Sequence, residues 1–211
     1  MSNFFAAKAP VAGQVKTRLA AAIGAEAAAT LYATFLTDLT TRFKHAPFRV
    51  SWYVAPAPWP GLEASRVEIQ RGHGWAERQA NFFRSRAAEG EGPVVLAATD
   101  SPQLEPDRVA EALEALRTQD LVFGPTFDGG YYLVGMSSFH DVFTGVAMST
   151  ASALDECLRR ARRRGLSWAL LPREFDVDTP ADLALLAREA ARRIDLPATS
   201  AALQRLLAPV P

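Results

Sequence analysis

Residues 26–45 read EAAATLYATFLTDLTTRFKH, and Leu31, Phe35, Leu39 and Phe43 recur in them at every fourth position. That period puts four large apolar side chains on one stripe of a helix, a face built to lie on a sheet. The short run NFFAA (3–7) precedes it and FRVSWYVA (48–55) follows, both apolar and aromatic enough to be strands. Strand, helix, strand in this order is a βαβ unit, and it predicts a parallel pair.

The same alternation continues outward. VEIQ (67–70) reads as a weak strand, WAERQANFFRSRAAE (75–89) as a helix, and PVVLAAT (93–99) as a strand apolar enough to be buried on both faces. PDRVAEALEALRT (106–118) is a helix with Pro106 at its first position. DLVFGPT (120–126) and YYLVGM (131–136) are strands, SALDECLRRARRR (152–164) a helix stopped by Gly165, LSWALLP (166–172) the last strand and PADLALLAREAARRI (180–194) the last long helix. The sum is an α/β fold, a three-layer α/β/α sandwich around a mostly parallel sheet. Alternation sends one of Trp52 and Tyr53 into the core, and lets at most one of Tyr131 and Tyr132 face a site.

A chain of 211 residues fits one domain, 1–211, with an Ala-rich tail after about residue 197 expected to pack loosely. Its 23 basic and 23 acidic side chains cancel, which argues against a polyanion such as nucleic acid as partner. The run RRARRR (159–164) ends a helix before Gly165, where arginine suits the helix dipole. Cys157, the one cysteine, stands in a helical stretch and reads as a small buried apolar residue. No apolar run is long enough to span a bilayer and no signal-peptide pattern opens the chain, so a cytoplasmic enzyme without a membrane partner is expected.

Ligands of such sheets gather beyond the carboxyl ends of the strands. After the first strand comes KAPVAGQVKTRL (8–19): Pro10 and Gly13 make a turn, and Lys16 and Arg18 add positive charge suited to phosphate oxygens. A cation at a helix start gains nothing from the dipole, which favours a functional reading over a solvated helix start. After PVVLAAT comes Asp100, which could hold a hard divalent cation or cap a turn. After DLVFGPT comes Asp128 with Gly129 and Gly130, a tight turn that lets backbone approach a ligand, or a plain hairpin. After LSWALLP comes REFDVDTPADL (173–183), where Thr179, Pro180 and Asp182 make a helix start. Asp176 and Asp178 then alternate away from Phe175 and Val177, toward a metal or toward solvent.

KAPVAGQVKTRL, ATDSPQL, GPTFDGGYYLVGM, MSTASAL and DVDTPADL, in this order, resemble the radical-SAM/selenodomain-associated transferase 1 family, and the resemblance runs from about Phe5 to Leu186. That family is similar to 2-phospho-L-lactate and molybdenum cofactor guanylyltransferases and has a glycosyltransferase A-type, nucleotide-diphospho-sugar transferase fold. The resemblance implies a transferase that binds Mg²⁺ or Mn²⁺, a nucleotide or nucleotide sugar, and a small-molecule acceptor. Carried over by position, Lys16, Arg18, Asp100 and Asp128 would be catalytic, and Asp100, Asp176 and Asp178 would hold the metal. Ala9, Pro10, Gly13, Glu77, Arg78, Gly129, Gly130, Tyr131, Ser149 and Thr150 would line the substrates. The family tends to carry an aromatic and a carboxylate where this chain has Met148 and Ala151, and a fuller motif ahead of GWAER (74–78). Nucleotidyl transfer is the leading expectation, with glycosyl transfer and nucleotide binding without catalysis as the alternatives.

Overall fold

The computed structural model describes residues 1–62 and 66–208. Seven strands and seven helices alternate in it: β1 Ser2–Lys8, α1 Thr17–Ile23, α2 Ala25–Phe43, β2 Arg49–Ala55, β3 Val67–Ile69, α3 Trp75–Ala88, β4 Val94–Ala98, α4 Pro106–Ala115, β5 Leu121–Pro125, β6 Tyr131–Met136, α5 Ala153–Arg163, β7 Trp168–Leu170, α6 Pro180–Ala190 and α7 Pro197–Leu207. The strands form one sheet in the order β3-β2-β1-β4-β6-β5-β7. All neighbours are parallel except β6, which runs against both β4 and β5. A turn as short as Thr126–Gly130 can only return the chain antiparallel, so β5 and β6 form a hairpin.

The register fixes where the strand ends meet. Ala97 of β4 pairs with Leu133 and Val94 with Met136, so β6 begins beside the carboxyl end of β4. The hairpin tip that carries Asp128 therefore lies on the same sheet edge as Asp100. β7 runs parallel to β5, and beyond it Glu174 N–H donates to Pro125 O at 3.1 Å and Val177 N–H to Asp100 O at 2.9 Å. These two bonds draw the segment with Asp176 and Asp178 back to that edge.

Helices cover both faces. On one, Leu31, Phe35, Leu39 and Phe43 of α2 are 2% exposed or less and pack with Phe5, Trp52 and Val54. On the other, Phe82 and Phe83 of α3 and Cys157 of α5 pack with Phe4, Tyr53, Leu96 and Phe123. Trp52 and Tyr53 are consequently both buried, at 2% and 3% exposure, whereas alternation alone expected one of them in the core. Alternation sorts inside from outside only where one face meets water, and a parallel sheet clad on two sides has no such face. Burial pushes the Cys157 thiol up to about 12, as befits a packing residue.

The tail expected to be loose forms α7. Thr199, Ala202 and Leu203 are buried, and the Asp38 carboxylate on α2 accepts the backbone N–H of Ala198 at 3.0 Å and of Thr199 at 2.8 Å. A side chain on another helix thus satisfies two amides that a helix start leaves open. Residues 209–211 of the tail lie outside the described residues. Among the described residues no helix is long and apolar enough to cross a membrane.

Candidate functional site

A cleft of about 790 Å³ opens at the carboxyl ends of β1 and β4 and the start of β6. Lys16, Arg18, Arg78, Asp100, Asp128, Gly130, Tyr131, Ser149, Thr150, Asp176 and Asp178 all line it. Residues from four strand ends, spread over most of the chain, meet in one place.

Lys16 is its centre. As the residue before α1 it has φ 49° and ψ 41°, left-handed geometry that a side chain with a Cβ seldom adopts. It is only 9% exposed, and its ammonium lies 5.6 and 5.8 Å from the ring centres of Tyr32 and Phe35. The Nζ donates to Asp100 Oδ1 and, at 3.1 Å, to Asp178 Oδ1, a partner 162 residues away. Burial alone would push this ammonium's pKa down; the two carboxylates overcome it and hold the pKa above the ordinary lysine value. Arg18, with a side chain 62% exposed, stands 3.8 Å from Asp178 Oδ2 at the mouth.

Beneath Lys16 runs a hydrogen-bond chain. Thr99 Oγ1 donates to Ala6 O at 3.1 Å, so it accepts from the Tyr32 hydroxyl at 2.7 Å, which in turn accepts from Lys8 N–H at 3.3 Å. Burial, together with the charge of Asp100, pushes the Tyr32 hydroxyl up to about 12, so it stays a neutral donor. Across the cleft, Asp128 Oδ1 accepts from Thr126 Oγ1 and from Gly130 N–H at 3.1 Å. Arg78 is held by Gly72 O at 3.1 Å and Gln70 Oε1 at 3.2 Å, while Tyr131 donates to Gln79 Oε1 at 2.9 Å.

Asp176 completes the acidic side and is electrostatically the odd member. It accepts from Ser101 Oγ, yet burial, with the nearby charge of Asp100, pushes its carboxyl up to about 7. The sign follows: the folded chain keeps this proton up to about pH 7 while the unfolded chain releases it near the usual 3.8, so stability falls as pH rises between those values. Asp176→Asn is therefore expected to raise stability at pH 8 on the order of 2 kcal/mol, a figure reduced for the residue's remaining solvent contact, and Tm by about 5 °C. The gain should vanish near pH 4. Thermal melts of both proteins across that range measure it, and a gain independent of pH contradicts the assignment.

An excess of negative charge that a buried carboxyl relieves by keeping a proton is what a cation would also relieve. Among the described residues, however, no three carboxylate, imidazole or thiolate groups converge as a ready metal cage. Asp100 and Asp178 are hard oxygen donors lining the cleft, which is the kind of ligand that Mg²⁺ or Mn²⁺ takes when water and phosphate supply the rest.

Five residues expected at the substrates do not line the cleft: Ala9, Pro10, Gly13, Glu77 and Gly129. They shape the loops that do. Ala9 N–H extends the β1–β2 ladder to Ala55 O at 2.9 Å, and Glu77 accepts His73 N–H at 2.9 Å. Gly129 has φ +89°, and a Cβ there would lie 2.0 Å from Ala151 O, so only glycine lets the hairpin tip pass under the 148–151 loop. Trp75, Gln79, Tyr32 and Thr99 line the cleft although sequence reasoning passed over them. Tyr32 sits in the apolar stripe of α2 and Trp75 and Gln79 at the start of α3, where helical position alone says nothing of a cleft.

Comparison with known proteins narrows the setting. Residues 50–150 match the family DUF2064, described as an uncharacterized protein conserved in bacteria; the match leaves out Lys16, Arg18, Asp176 and Asp178. A search of curated proteins finds no match. Among solved structures, a provisionally assigned nucleotide-diphospho-sugar transferase from Desulfovibrio desulfuricans is 29% identical, with a TM-score of 0.85 and 97% of each chain covered. A nucleotidyl transferase from Methanothermobacter thermautotroptrophicus shares the fold at 14% identity and a TM-score of 0.60, covering 91% of this chain and 98% of its own. A 4-diphosphocytidyl-2C-methyl-D-erythritol synthase does so at 14% identity and 0.55, covering 88% and 98%. The chain has the nucleotide-diphospho-sugar transferase type of fold, as its motifs led us to expect.

Proposed function

We propose that this protein is a magnesium- or manganese-dependent transferase whose donor is a nucleoside triphosphate or a nucleotide sugar, and that it carries out nucleotidyl transfer to a small phosphorylated or hydroxyl acceptor. The observation that carries the reading is the meeting of Lys16 and Arg18 with Asp100 and Asp178 in one cleft. Cations and carboxylates interleaved in this way suit a polyphosphate and its counter-ion, and the full-length likeness to the Desulfovibrio protein supports a nucleotide donor. Membership of the radical-SAM/selenodomain-associated transferase 1 family belongs to the same proposal.

With a nucleoside triphosphate as donor, an acceptor oxygen attacks the α-phosphorus in line; the new P–O bond forms as the bond to the bridging oxygen breaks, and pyrophosphate leaves. A bound divalent ion, held by Asp100 with Asp178 or Asp176, would neutralise phosphate charge. Lys16 turns its ammonium from the carboxylates to the phosphate oxygens, so the charge it balances changes but its buried place does not. Arg18, already at the mouth, steadies the leaving group. Asp128 engages its turn through Oδ1 alone among the described residues, which leaves Oδ2 to accept a proton from a hydroxyl acceptor.

Glycosyl transfer is the second reading, favoured by the sugar-transferase assignment of the Desulfovibrio relative. In it a nucleoside diphosphate leaves, stabilised by the same cations, and Asp128 contacts the acceptor. Incubation with Mn²⁺, the four nucleoside triphosphates or a set of nucleotide sugars, and phosphorylated and hydroxyl acceptors separates the two. The expected product is pyrophosphate. Nucleoside diphosphate release from sugar donors would replace the first reading by the second, and nucleotide binding with neither product would leave a binding protein and contradict both.

A further inference from the structure

We propose that Gln103 is a positioning residue that holds the Asp100 loop and the Asp176–Asp178 loop in register, an inference that rests on the function proposed above. The two acidic loops come from opposite halves of the chain, and three residues reach directly from one to the other. Val177 N–H reaches Asp100 O at 2.9 Å, Ser101 Oγ reaches Asp176 itself, and Gln103 Nε2 donates to Phe175 O at 2.6 Å and, at the longer distance of 3.5 Å, to Glu174 Oε2. The first is backbone, beyond the reach of substitution, and the second ends on a candidate metal ligand. Among the described residues, Gln103 is the one side chain that ties the loops without touching an acidic residue of the cation site.

Its own loop is fixed from behind. Arg42 Nη1 donates to Pro102 O at 2.7 Å and Leu104 O at 2.8 Å, and Arg193 Nη1 donates to Gln103 O at 3.0 Å. Asp195 pairs with both arginines. Three successive carbonyls of residues 102–104 are thus held by two guanidinium groups, and Gln103 extends from a rigid base. The residue is 4% exposed, and its Oε1 has no partner among the described residues. An apolar side chain of equal length would avoid that unpaired acceptor, so the amide costs stability and its return is the bond to Phe175.

Gln103→Met keeps length and packing and removes the donor. The probe is an equimolar mixture of ATP, CTP, GTP and UTP, with apparent affinity read from thermal shifts in saturating Mn²⁺ and again in EDTA. The expected result is about tenfold weaker binding in Mn²⁺ with affinity in EDTA unchanged, the loss of roughly one hydrogen bond's worth of alignment. Leu206→Ala on α7, away from the cleft, should lower Tm and leave both affinities alone. Loss of less than twofold in Mn²⁺, or equal loss in EDTA, overturns the proposal and returns Gln103 to a structural part. A wild type with no Mn²⁺ effect overturns the functional reading beneath it instead.

Discussion

Asp100→Asn is expected to weaken Mn²⁺-dependent nucleotide binding by about a hundredfold and to shift Tm by no more than about 2–3 °C. The carboxylate stands at the end of a central strand with its side chain 44% exposed, so its removal opens no cavity. Lys16 keeps a partner, since Asp178 remains 3.1 Å from its Nζ, and no buried ammonium is left unpaired. On the proposed function, what disappears is a hard, charged oxygen ligand, and exchange for a neutral amide at such a position forfeits a charge-assisted contact. Calorimetric titration in Mn²⁺ and in EDTA checks it. Affinity equal to wild type in both would mean that Asp100 serves only as the counter-ion of Lys16.

Lys16→Met is expected to lower triphosphate affinity by about a hundredfold and affinity for the parent nucleoside by less than threefold. Methionine keeps an unbranched side chain of similar length, and what leaves is the ammonium that stands 5.6 and 5.8 Å from the ring centres of Tyr32 and Phe35. Removing the ammonium leaves Asp100 and Asp178 facing each other, but their side chains are 44% and 40% exposed and water screens them. The structural cost should accordingly be modest, about 1–2 kcal/mol. Parallel titrations with the triphosphate and the nucleoside measure the split. Equal loss for both ligands would place Lys16 outside the phosphate subsite.

Much of this was legible before any coordinate. The stripe Leu31, Phe35, Leu39 and Phe43 announced a sheet-covering helix, and each strand end carried its own polar signature. What could not be read was long-range. Nothing local in YYLVGM says that β6 inserts antiparallel between β4 and β5, yet that insertion is what brings Asp128 to the edge of Asp100. Lys16 was legible as a misplaced cation, but not as a buried one paired with Asp178. Its pairing depends on the return of a segment 162 residues away. Tyr32, Trp75, Gln79 and Gln103 look like ordinary helix or loop residues in the sequence because their partners are distant in the chain. Asp182 was legible for the opposite reason: its contact is local, three residues from the Thr179 N–H that it accepts at 2.7 Å.

The central claim is that one cleft holds a polyphosphate between Lys16, Arg18 and an Asp100-bound divalent ion. Crystals soaked with Mn²⁺ and the nucleoside triphosphate that gives the largest thermal shift test it most directly, through the anomalous signal of manganese. The account predicts a manganese peak within ligand distance of Asp100, and Lys16 turned from Asp100 and Asp178 to a phosphate oxygen. A nucleotide bound outside the cleft, or manganese remote from Asp100 with Lys16 still paired to both carboxylates, would contradict it.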